Sequence, residues 1–203
     1  VLLSNQKILT TNTFSSGFNS DNFQQDIIYS LIIDIDGSVN LNSYEGSGYI
    51  IDIQNRPGRV GFPEVIESKI GNPRLVKFRE IETDRLLQVK GWDLKLGNQT
   101  FWNLYVMSFG SNINLNNLNL INTEIIGTGD INMGKNLNSG DIFISGNFNV
   151  YVDTSLPIVV IGSAEVPAGW IDATIGYLNQ TNENYKFKVI VEEGSNVVFQ
   201  NGE

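Results

Sequence analysis

The chain contains neither cysteine nor histidine. Without cysteine the fold cannot lean on disulfides or thiolate metal sites, and the redox compartment stays open. Without histidine the commonest general base and the commonest transition-metal ligand are both gone. Ser-His, Cys-His and histidine-zinc chemistry are thereby excluded. Charge is scarce too: Asp, Glu, Lys and Arg make up 17% of the residues, against roughly 25% in an average soluble domain. Long apolar runs are missing. No segment approaches the ~18 uninterrupted apolar residues of a membrane span, and Val1-Leu2-Leu3-Ser4-Asn5-Gln6-Lys7 shows no basic stretch leading into an apolar core. A Val start is what would be left by removal of an initiator Met or of a leader. The expectation is a non-catalytic chain with no cofactor and no membrane insertion.

What fills the space is asparagine, 26 residues in a chain of 203. Asn competes with helical hydrogen bonds and favours turns and left-handed backbone. Together with glycine and β-branched residues it points to strands and turns. Period-two runs occur at residues 27–36, 74–81, 85–90, 101–109 and 185–191, each rich in Ile, Val, Leu or aromatics and bounded by Gly, Pro, Asn or Asp. A helical face of Phe23, Ile27, Ile28 and Leu31 gives way to the β-branched run that follows, so a strand is expected from Ile27. In the segment from Ile33 to Leu41, Asp36-Gly37 sits between two alternating stretches and predicts a hairpin with a type I′ turn.

The segment from Ser111 to Asp153 alternates apolar residues with Asn, Ser or Gly and carries almost no charge. Aligned Asn side chains can hydrogen-bond in ladders, so a β-solenoid-like or stacked-sheet segment near 111–153 is one reading. No fixed repeat period emerges when the segments are aligned, and an ordinary meander is the other. The expected fold class is therefore all-β, with mostly antiparallel, sandwich- or barrel-like sheets of short strands. Residues 1–22 are expected to form an extended arm, 23–110 a β domain, and 111–203 a second β domain or a continuation of the same sheet stack.

Net charge is −9 and unevenly spread. Nine of the basic residues fall between Arg56 and Lys95, and beyond Gly110 only Lys135, Lys186 and Lys188 are basic. The ordinary reading is solvated strand faces; the sharper one is that opposite patches on identical subunits meet and steer assembly. Glu64, Glu67, Glu80, Glu82 and Asp84 interleave with the basic residues and would repel phosphate, which argues against nucleic acid.

Candidate sites are few. Asp34, Asp36 and Glu45 take calcium-loop positions in a twelve-residue window, but Val39 stands where the sharp turn wants glycine. Glu80, Glu82 and Asp84 alternate on one strand face and could pose as a glycosidase carboxylate pair; neighbouring Arg79 and Arg85 favour a surface ion-pair ladder. The glycines of residues 127–134 miss the dinucleotide-binding spacing. The Asn-Gln-Thr triplets at Asn98 and Asn179 match glycan acceptors only in a secreted chain. Aromatics concentrate at Trp92, Phe101, Trp102 and Tyr105. If Trp102 faces the core, alternation exposes Phe101 and Tyr105 with Asn103 between them, as a contact surface or a sugar-stacking platform. In the arm, Leu2, Leu3, Ile8, Leu9, Phe14 and Phe18 are too apolar for a free tail and are expected to dock.

Two functions fit these features. The first is a structural subunit of a symmetric homo-oligomeric assembly, such as a capsid-decorating, tail or fibre protein of a virion, contacting itself and other structural proteins. The second is a carbohydrate- or receptor-binding β module that uses exposed aromatics. Both place the chain in a virion or another extracellular assembly.

Overall fold

The computed structural model describes residues 13–17, 27–54, 63–68, 70–80, 91–162, 186–192 and 194–200. Thirteen strands occupy them: β1 (Thr13–Gly17), β2 (Ile28–Asp34), β3 (Ser38–Tyr44), β4 (Tyr49–Gln54), β5 (Pro63–Glu67), β6 (Arg74–Glu80), β7 (Gly91–Gly97), β8 (Phe101–Asn114), β9 (Asn119–Met133), β10 (Ile142–Asp153), β11 (Ile158–Gly162), β12 (Phe187–Val191) and β13 (Asn196–Gln200). They join in one curled, open, mixed sheet, an all-β half-barrel.

The curl comes from long strands that turn a corner. In β8, β9 and β10 a first arm and a second arm are separated by a glycine-bearing bend, and the shorter strands line up against one arm or the other. The first arm runs β5-β6-β2-β8-β9-β10-β12-β11, and the second runs β1-β4-β7-β3-β8-β9-β10-β13. β2 and β3 therefore make one bent rung: β2 lies against residues 101–107 of β8, and β3 meets β8 again at Asn112 and Ile113. The expected hairpin at Asp36-Gly37 is not formed. The two segments do not pair with each other, and the turn instead rounds the corner, where the Ile35 N–H donates to the Met107 carbonyl (3.0 Å) and the Phe109 N–H to the Gly37 carbonyl (2.8 Å).

Strand direction also departs from expectation. Among the described residues only β1·β4, β4·β7 and β5·β6 are antiparallel, and every other pairing is parallel. Parallel strands covered on both faces read as continuous apolar runs. Here one face stays wet, so the strands keep the in-out alternation usually seen in antiparallel sheets. β8 passes through Gly110 and Ser111 and pairs with β9 on both sides of them.

Register stacks like on like. Val76, Leu31, Leu104, Thr123, Ile142 and Val189 form one inward column, and Phe78, Ile33, Val106, Ile125, Ile144 and Val191 form the next. Leu94, Leu41, Ile113, Ile131 and Val150 do the same in the second arm. All of these residues are buried. At one end of the core, aromatics from both arms meet: Phe78 packs edge-on to Tyr49 (5.1 Å between centroids) and to Trp92 (6.5 Å). Such pairs add to the area they bury.

The far ends of the rungs are closed by stacked turns. Asn117 and Asn136 occupy equivalent positions with φ of 60° and 58°, and the Asn136 Nδ2 donates to the Asn117 Oδ1 at 3.0 Å. Left-handed backbone costs an L-residue about 1–2 kcal/mol, and Asn and Gly tolerate it best. Asn136→Ala is expected to lower unfolding free energy by about 1–2 kcal/mol in urea titration, and Asn136→Gly by clearly less. Equal costs for the two would mean that the side-chain ladder, not the backbone, selects asparagine.

Candidate binding face

The outer face of the first arm carries a well-formed trough. Alternation in β2, β8, β9 and β10 turns every second side chain outward, and the register aligns them in rows across the strands. One row is Ser30, Asn103, Asn122 and Asp141; the next is Ile32, Tyr105, Glu124 and Phe143. Between them lies a trough of about 590 Å³, floored by the backbone at Leu31, Leu104 and Thr123, whose side chains turn inward. With strands ~4.8 Å apart, four strands give a trough about 14 Å long, and its walls stand two residues apart, about 6.7 Å.

The polar row is wired along its length. Asn122 Nδ2 donates to Asn103 Oδ1 (3.1 Å), and Asn103 Nδ2 donates to Ser30 Oγ (3.3 Å). At the far end the Lys188 backbone N–H donates to Asp141 Oδ1 (3.0 Å). These bonds hold the amide planes while leaving each Asn a second N–H. In the other row, Glu124 is exposed and Tyr105 half-buried. Neither the carboxylate nor the phenol has a hydrogen-bonding or ionic partner among the described residues. The lining holds two carboxylates and no Lys or Arg. This surface offers fixed amide donors, free acceptors and two aromatic rings to whatever enters.

Of the four aromatics singled out in the sequence, the structure divides the set. Trp92 and Trp102 are 2% and 0% exposed and belong to the core, so neither can stack on a ligand. Alternation then puts Phe101 (40% exposed), Asn103 and Tyr105 on the outer face, and Tyr105 and Asn103 line the trough while Phe101 flanks it. Asn122, Glu124, Asp141 and Phe143 complete the face and were not singled out. Their signal is a spacing of 19 residues: Asn103 to Asn122 to Asp141, and Glu124 to Phe143.

The calcium reading does not survive. Asp34 closes β2, Asp36 lies at the corner, and Glu45 follows β3. The seven extended residues of β3 separate Asp36 from Glu45 by more than ~20 Å, too far for one ion. The trio Glu80, Glu82 and Asp84 lies outside the described residues except for the Glu80 backbone. Arg79 pairs instead with Glu64 across β5 at 3.5 Å, an exposed contact of small energetic weight. Of the arm, Thr13–Gly17 adds as β1 antiparallel to β4. Leu2, Leu3, Ile8, Leu9, Phe18 and the Phe14 side chain lie outside the described residues. Among the described residues no helix is long and apolar enough to cross a membrane.

No family model matches the chain, and no curated protein does. Among solved structures, it is similar to a crystal structure from Clostridium sporogenes described as a putative cell adhesion protein, with a TM-score of 0.58 and 10% identity, covering 95% of this chain and 100% of that one. At this identity what the two share is the fold.

Proposed function

We propose that this chain is a non-catalytic recognition module of an extracellular surface or assembly, and that it engages its ligand or receptor in the trough on the first arm. The observation that carries this reading is the trough itself: two register-aligned rows of outward side chains, one of wired amides and one of aromatics around a free carboxylate. Sites of this kind combine apolar walls with a few fixed polar groups. A description as a cell adhesion protein, given to the distant structural neighbour, is compatible with such a role. The test applies the protein, on beads, to printed arrays of glycans and of extracellular peptides. A Tyr105→Ala, Phe143→Ala double variant should lose at least about tenfold in retention, or ~1.4 kcal/mol, with its circular dichroism spectrum intact. Undiminished retention would place recognition elsewhere.

A second reading, a structural subunit of a symmetric assembly such as a virion tail, fibre or capsid-decorating protein, rests on the sheet ends. Among the described residues β1 and β5 at one end, and β11 and β13 at the other, each pair along one edge only. Such edges are templates for a further chain. Light scattering across a concentration series decides: a monomer throughout rules this reading out.

A further inference from the structure

Resting on the trough as the recognition site, we propose that its ligand is a neutral oligosaccharide lying across the strands rather than along them. The direction follows from the walls. Each row repeats once per strand, every ~4.8 Å, and a pyranose unit is about as long as that step. An extended peptide advances ~3.3 Å per residue and would fall out of phase with both rows. It would also find no edge to join, because β2, β8, β9 and β10 are already paired with one another along the floor.

The chemistry of the rows suits hydroxyls. A sugar hydroxyl donates one hydrogen bond and accepts others, so it is best met by donors and acceptors set side by side. Asn103 and Asn122 each commit one N–H to the ladder and keep the second, while Glu124 and Asp141 supply acceptors next to them. Tyr105 and Phe143 flank Glu124 in one row. Their rings stand two strands apart, ~10 Å, and offer apolar surface to the C–H faces of successive sugars. Charge sets the class. Glu124 and Asp141 stand in the walls with no cation among the lining residues, and Lys77 and Lys188 continue the two rows only one strand beyond the trough's ends, so a uronate, sulfated or phosphorylated sugar lying within the four strands would meet like charge.

The test is isothermal titration calorimetry of the full chain against four probes: neutral gluco- or manno-oligosaccharides, N-acetylglucosamine oligomers, a hexuronate oligomer and an Arg/Lys-rich peptide. The expected result is binding of at least one neutral probe, weakened at least tenfold by Tyr105→Ala and by Asn122→Ala. Phe109→Ala, which changes an exposed ring outside the trough, should bind as the parent does. Both affected side chains point outward, so thermal melts of the variants should match the parent. Binding of the peptide alone, abolished by Glu124→Gln, overturns the sugar assignment and leaves the trough standing as the site. A hexuronate bound as well as its neutral counterpart overturns it too, as does a panel with no neutral binder. Sugar binding that Tyr105→Ala and Asn122→Ala leave unchanged overturns the trough reading underneath.

Discussion

Trp102→Ala should lower the unfolding free energy by about 3–5 kcal/mol, the range for deleting a large aromatic from a packed core. The side chain is fully buried, its ring lies 5.8 Å from that of Tyr29 at 51°, and its indole N–H donates to the Gly97 carbonyl at 3.1 Å. Truncation removes the ring and leaves that carbonyl, at the turn leading into β8, with only the longer bond from the Thr100 N–H (3.3 Å). Trp102→Phe keeps most of the volume while losing the indole hydrogen bond, so it should cost clearly less. Urea titration reads both. Ligand affinity per folded molecule is expected to stay within a few-fold of the parent, because the ring faces away from the trough. A variant with unchanged stability and lost binding would return Trp102 to the role of a stacking platform.

The strands were legible in the sequence because alternation is local. Residues 101–109 and 185–191 read as period-two runs and are strands along most of their length. Their direction was not legible, because a sheet with one wet face shows the same alternation whether its neighbours run parallel or antiparallel. Asp36-Gly37 shows the ambiguity at one point. A turn flanked by alternating segments closes a hairpin when the segments pair with each other, and rounds a corner when both pair with a third strand, here β8. Only long-range register separates the two.

The repeat was hidden by its irregularity. β9 and β10 are offset by 19 residues throughout, whereas β8 and β9 shift register between Trp102 and Asn103 and again between Ser108 and Ser111. The remaining rungs are not consecutive in the chain; β10 meets β12 and β13 at an offset of 47. Half of the candidate site could still be read. Alternation around Trp102 placed Phe101, Asn103 and Tyr105 on a shared face, but Asn122, Glu124, Asp141 and Phe143 join them only through cross-strand register. The side-chain bonds Asn122 to Asn103, Asn136 to Asn117 and Asn138 to Asn119 all span 19 residues, so the asparagine excess held the missing period.

Gly127→Ala should be among the most damaging small substitutions at the described residues. Gly127 sits at the corner with φ of +130°, and a Cβ placed on it would lie 1.8 Å from the Ser108 carbonyl oxygen. That oxygen belongs to the backbone of the preceding rung and cannot rotate away as a side chain would. The next rung repeats the arrangement, since a Cβ on Gly146 would lie 2.1 Å from the Gly127 carbonyl oxygen. Moving one rung to relieve the clash therefore presses on its neighbour. The expected result is a chain that fails to fold, or one destabilised by more than about 4 kcal/mol, the tail of single-substitution effects. Gly110→Ala is the internal control. Its φ of +69° is also left-handed, but nothing lies within 4 Å of the added carbon, so only the conformational cost of about 1–2 kcal/mol applies. Thermal or urea unfolding of the two variants separates contact from conformation. Similar losses in both would mean that the rungs are not locked backbone to backbone at this corner. A wide gap would mean that the glycine corner fixes the register of β8, β9 and β10, and with it the spacing of Asn103, Asn122, Tyr105 and Glu124 along the trough.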